Sequence, residues 1–187
     1  MRREAEDRLA PPRRLRVYRA ESAAVAACHV PLLDGSAATA QAYVDRITRS
    51  AWWARTCPPS WMGDETGAGS GTFDTSRSPR RVIVTAHGSH VAGHAKPVLK
   101  RHRGRWQPSI GLGRAECAPG RPAIADPWVI LHELAHVMCL GVGDNGHGRV
   151  FAGTYLALVR RWLGAEAGRA LRAAYQAEGM PWRRTGR

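Results

Sequence analysis

The sequence predicts an α+β domain in which a small mixed sheet packs on a central metal-binding helix, with further helices around it. Three observations predict it. An apolar stretch at about 127–140 reads as a buried helix. An alternating stretch at 81–86 reads as a strand. Stretches at 36–55, 149–163 and 165–178 repeat apolar residues at helical spacing. A chain of 187 residues suits one domain with ragged ends.

Residues 1–12 are charged and end in prolines, and are expected to form a disordered tail. The folded domain is expected over 13–178, with a loose basic tail over 179–187. Residues 14–19 alternate in a way that permits a short strand or a helix entry. From Ser36 to about Arg55 a helix is expected, with Ala40, Tyr43, Val44, Ile47 and Ala51 on one face; Cys57-Pro58-Pro59 stops it. Residues 60–79, rich in Gly, Ser and Thr, read as an exposed loop. Residues 81–86 (Arg-Val-Ile-Val-Thr-Ala) are the clearest strand, with a second expected within 94–102 and a third within 105–113. Pro108 suits an edge strand, because it cannot donate to a ladder. Asp126 is an N-cap and Pro127 a first helical residue. The helix they open continues through Leu140 to Gly141, a natural C-cap. Val150, Phe151, Tyr155, Leu158, Val159 and Trp162 mark a supporting helix, and Leu171 and Tyr175 lie in a last one.

The apolar helix carries His132-Glu133-Leu134-Ala135-His136. The two histidines are spaced i, i+4, one turn apart on the same face, so both imidazoles can reach one metal ion. Glu133 points beside that ion and is placed to take a proton from water polarised by it. Chance placement would produce the pattern in about one such chain in 70, so context matters. A buried helix with two histidines and a glutamate needs partners for them, and a metal supplies one. A catalytic zinc site needs a third protein ligand. His147, across the flexible glycine-rich link 141–146, is the preferred candidate. Glu166 is the alternative, but it lies beyond a helix break at Gly164. Tyr155 and Arg149 are candidate oxyanion donors. His87, His90 and His94 could suggest a second metal, but Gly88 and Gly93 argue for a plain loop.

His132-Glu133-x-x-His136 with His147-Gly148-x-x-Phe151 resembles the zincin pattern of SprT-like and WLM-type metallopeptidases. Two further segments, Arg14-Leu15-Arg16-Val17-Tyr18-Arg19-Ala20-Glu21 and Ala40-Gln41-Ala42-Tyr43-Val44-Asp45-Arg46, resemble a family of uncharacterised actinobacterial metallohydrolases. The resemblance spans about residues 13–178. It implies a minimal zincin-like domain and a zinc-dependent hydrolase, with a peptide or protein substrate. By the same resemblance, 106–113 is expected to be an edge strand that pairs with extended peptide. The chain departs from the pattern at Val137, where relatives carry a second histidine, and in a shorter spacer to His147. It is also not the metzincin form, whose glycine and third histidine would fall at Cys139 and Val142.

A net charge of +13 favours acidic partners, or nucleic acid non-specifically. The bias is nearly all arginine, which GC-rich coding also produces. Lys96, Lys100, Arg101, His102, Arg103 and Arg105 cluster near the expected strands, which suits a solvated face more often than a phosphate site. Cys28, Cys57, Cys117 and Cys139 form no C-x-x-C pair and suggest no disulfide framework, so a reducing, cytoplasmic setting is expected. No run reaches the length of a membrane span, and no membrane partner is expected. The sequence does not define the oligomeric state. The rival reading is a non-catalytic zinc-stabilised module that binds nucleic acid or protein; a DNA-associated protease would combine the two. A structural site would close the fourth coordination position with Cys139, Asp144 or Glu166.

Overall fold

In the computed structural model, helix α1 (Arg13–Ala27) opens the fold. The structure describes residues 13–56, 82–87, 98–102, 105–113, 116–118, 120–139 and 146–182. The alternation at 14–19 thus becomes the first turns of a 15-residue helix. Its charged residues lie nearly all round it, which hides the amphipathic signal. What it buries is a narrow stripe of Val17, Ala20, Glu21 and Ala24, at helical spacing.

The single helix expected from 36 to 55 is two. α2 (Ala37–Thr48) is capped by Ser36, whose hydroxyl accepts from Thr39 N at 3.1 Å. α3 (Ala51–Thr56) restarts after Arg49 and Ser50. The Ser50 hydroxyl donates to Ile47 O and accepts from Trp53 N at 3.1 Å, so it closes one helix and opens the next. Serine competes for backbone groups in this way, and the apolar periodicity alone could not reveal it.

The sheet has three strands, β1 (Ile83–His87), β2 (Val98–His102) and β3 (Arg105–Gly113), in the order β1-β3-β2. β3 runs parallel to β1 and antiparallel to β2. A short pair, β4 (Glu116–Ala118) and β5 (Arg121–Pro122), follows. The sheet is therefore mixed, as expected, but β3 is its middle strand and not an edge. Residues 105–109 pair with β2 and 109–113 with β1, so only Ser109 pairs with both. Pro108 is tolerated because the ladder to β1 begins one residue later. Residues 108–113 are buried, so they offer no solvent-facing edge to an extended peptide. The β1 edge is instead covered by α2: Gln41 Nε2 donates to Val82 O at 2.9 Å, and Gln41 Oε1 accepts from Val84 N at 2.8 Å.

α4 (Pro127–Cys139) is the central helix, buried on nearly every face. Asp126 caps it, accepting from Trp128 N at 3.0 Å. Arg121 holds that cap with two bonds of 2.8 and 3.0 Å. α5 (Arg149–Trp162) packs on α4, and α6 (Ala165–Ala177) packs on both α5 and α1. Gly164, with φ +100, makes the turn between α5 and α6. The tail expected to be loose begins by folding back. Met180 N donates to Tyr175 O at 2.8 Å, and the Trp182 ring lies 6.3 Å from that of Tyr175. Residues 183–187 lie outside the described residues, as do 1–12 and the loop 60–79. Among the described residues, no helix is long and apolar enough to cross a membrane.

Candidate metal centre

Helix α4 places His132 and His136 one turn apart, and α5 begins just after His147. Val150 and Phe151 lead the apolar stripe that seats α5 on α4. That seating brings His147 back over the helix it left. The result is a cluster in which the ligand nitrogens of His132, His136 and His147 lie within 4.8 Å of one another. His132 Nε2 and His147 Nε2 are 3.1 Å apart. Nitrogens bound tetrahedrally to one zinc-sized ion would be about 3.3 Å apart, so this pair already has a ligand spacing. Phe151 packs against all three rings, with centroids 4.3–4.9 Å away. The sequence-predicted triad is thus brought together, and it can hold a metal ion.

Two of the three rings, His136 and His147, are poised as neutral ligands. Burial pushes the pKa of His136 down to about 3, with the neighbouring imidazoles adding to the effect. Burial does the same for His147, to about 4. His132 differs. Burial alone would lower its proton affinity, but the Glu21 carboxylate outweighs burial and raises it. Glu21 Oε2 lies 3.0 Å from His132 Nδ1. A hydrogen on Nδ1 leaves Nε2 as the free donor atom, turned toward the other two histidines. A carboxylate behind a ligand imidazole is a common means of fixing tautomer and orientation. Glu21 is itself oriented by Tyr155, whose hydroxyl donates to Oε1 at 2.8 Å and lies 3.2 Å from Trp128 O.

Tyr155 therefore stands on the Nδ1 side of His132, bonded to Glu21, and not where an oxyanion donor belongs. Its side chain is fully buried, and burial raises its pKa well above the ordinary value, so it stays a donor. Arg149 is exposed at the start of α5. Glu166 is exposed in the first turn of α6, and Cys139 Sγ meets Thr154 Oγ1 at 3.7 Å. Among the described residues the metal group has the three histidines and no fourth protein ligand. Asp144, His90 and His94 lie outside the described residues, and the side chains of His87 and of 98–107 are not described.

Glu133 is 3% exposed, and its Oε2 has no hydrogen-bond partner among the described residues. Burial pushes its pKa up to about 8. A carboxylate buried without a partner is costly. The cost is relieved by a cation in the adjacent triad, which is the fit expected of a metal centre.

Two residues had no assigned role in the sequence. Glu21 and Tyr18 both sit on α1, and Tyr18 stacks on His132 with centroids 5.6 Å apart at 14°. Both fall in the segment 14–21 that carried a family resemblance, which is the one signal that could have found them. An open groove of about 520 Å³, lined by residues including Val30, Tyr43, Arg46 and Trp162, shares no residue with the triad. No protein-family signature, curated protein or solved structure matches the chain.

Proposed function

We propose that the chain is a zinc-dependent hydrolase with a zincin-like site, acting on amide bonds of a peptide or protein. The observation that carries the reading is the convergence of three imidazoles beside a buried carboxylate that has an unpartnered oxygen. Three protein ligands leave a coordination position for water or substrate, as catalytic zinc sites do. His₃ sites accept several divalent ions, and zinc is the one most often paired with this spacing. When bound, zinc supplies Lewis-acid polarisation of a water molecule and of the scissile carbonyl.

The chain's own residues do the rest. His132, His136 and His147 present neutral nitrogens. Glu21 holds the His132 ring and fixes which nitrogen carries hydrogen. Tyr155 holds Glu21. Glu133 accepts the proton of the attacking water and returns it to the leaving amine. The apolar wall of Phe151 and the surrounding helix core excludes bulk water from one side, which strengthens each of these interactions. A cytoplasmic setting fits this reading, since Cys28 and Cys139 are buried and neither is in a disulfide among the described residues.

The test pairs two variants on a mixed peptide library. Glu133→Gln is expected to keep stoichiometric zinc and to lose turnover by about 10²–10⁴-fold. His136→Ala is expected to lose the metal itself, read by elemental analysis with a chelator control. Hydrolysis by Glu133→Gln at the parent rate would remove the base assignment. A scaffold that merely binds nucleic acid or protein would hydrolyse nothing and would hold its zinc with four protein ligands.

A further inference from the structure

The metal centre uses α1 through Glu21, yet α1 brings two more side chains to it. Tyr18, half-buried, lies flat against His132 and 5.2 Å from the ring of His147. Arg14, one turn earlier, carries its guanidinium 5.4 Å over the same tyrosine ring. Its side chain is exposed, and among the described residues it forms no ion pair.

The Arg14 guanidinium lies over the ring that stacks on a metal-binding histidine, so it stands beside the centre. A guanidinium and a divalent cation on the same face repel one another, and an anion held between them offsets that repulsion. The two carboxylates at the site do not fill that place. Glu21 is bonded to His132 and Tyr155, and Glu133 is buried. An anionic group on the ligand is the partner the exposed guanidinium lacks among the described residues.

We propose that Arg14, on its Tyr18 platform, binds a carboxylate of the molecule that occupies the metal centre, so that the protein selects anionic substrates. The inference rests on the metal-centre reading above and adds the substrate class. A guanidinium matches a carboxylate with two parallel N–H···O bonds. Stacking on Tyr18 limits the rotation of the long side chain, so less freedom is lost on binding. The carboxylate is either a chain terminus or an acidic side chain; both present the same two oxygens.

The experiment measures binding, not turnover. Zinc-loaded full-length protein is titrated calorimetrically with acetohydroxamic acid, which is uncharged in neutral solution, and with succinic monohydroxamic acid, which adds a carboxylate. The parent is expected to bind the second about tenfold more tightly. Arg14→Gln is expected to lose that preference while keeping its zinc stoichiometry and its affinity for the neutral probe. Arg14→Lys should recover part of the preference. Equal affinities in the parent, or a preference that persists in Arg14→Gln, overturns this inference and leaves the metal reading standing. Failure to take up zinc, or to bind either probe, overturns both. Two further probes separate the sources. A glycine-linked hydroxamate with a free terminal carboxylate reports a chain terminus. An aspartate hydroxamate with its terminus amidated reports an acidic side chain.

Discussion

Removing Glu21 should weaken metal binding although Glu21 touches no metal. Its carboxylate accepts from His132 at 3.0 Å and from Tyr155 at 2.8 Å, and the residue is 9% exposed. In Glu21→Ala the tyrosine hydroxyl keeps Trp128 O at 3.2 Å. His132 Nδ1 keeps no acceptor among the described residues, so its ring can rotate and its tautomer is no longer fixed. Loss of such a partner costs about 10–100-fold in metal affinity, or about 1.4–2.7 kcal/mol. Glu21→Gln should lose less, since the amide oxygen still accepts one bond. Competition against a chromogenic chelator at neutral pH measures the effect, with near-ultraviolet circular dichroism as the check on folding. Glu166→Ala, exposed in α6, is the control. If Glu21→Ala folded and held zinc as tightly as the parent, the claim that Glu21 positions His132 would be refuted.

The metal-free protein should lose stability on mild acidification. His136 and His147 have folded pKa values near 3 and 4, against an ordinary 6.5. The unfolded chain therefore binds protons first, and stability present above about 6.5 is lost as pH falls toward 4. Thermal melts across that range in chelator should show a falling Tm, with a shallower slope in His147→Ala; a flat profile would contradict the burial of these rings. Gly168→Ala should destabilise by about 1–3 kcal/mol in urea melts, because a Cβ there would lie 2.9 Å from Arg160 Cβ where α6 crosses α5. An unchanged midpoint would show that the helices can part at no cost. Arg121→Ala should cost about 3–5 kcal/mol, because it strands the buried Asp126 that caps α4. A loss under 1 kcal/mol would mean that water replaces the arginine.

The helices were legible where their signals are local. Asp126-Pro127 marks the start of α4 in sequence, and the same residues cap it in space. α5 and α6 carry their periodicity openly, and Gly164 breaks them where expected. α1 was not legible as a helix, because arginines on several faces mask a buried stripe made largely of alanine. The order of strands was not legible either. Pro108 does sit where a ladder is one-sided, but whether a strand is central depends on which partners arrive, and here the adjacent β2 pairs antiparallel while the more distant β1 pairs parallel on the other side.

The candidate site divides in the same way. The sequence by itself determined that His132 and His136 share one helix face with Glu133 beside it, since a 3.6-residue period is a property of the backbone and needs no distant partner. Only the tertiary structure decided what stands behind and around that face. Glu21 reaches His132 from 111 residues away. Tyr155 meets Glu21 across 134. Tyr18 and Arg14 arrive with the same helix. Contacts at such separations form when helices pack to bury their apolar stripes, and the polar residues carried with them meet as a consequence of that packing.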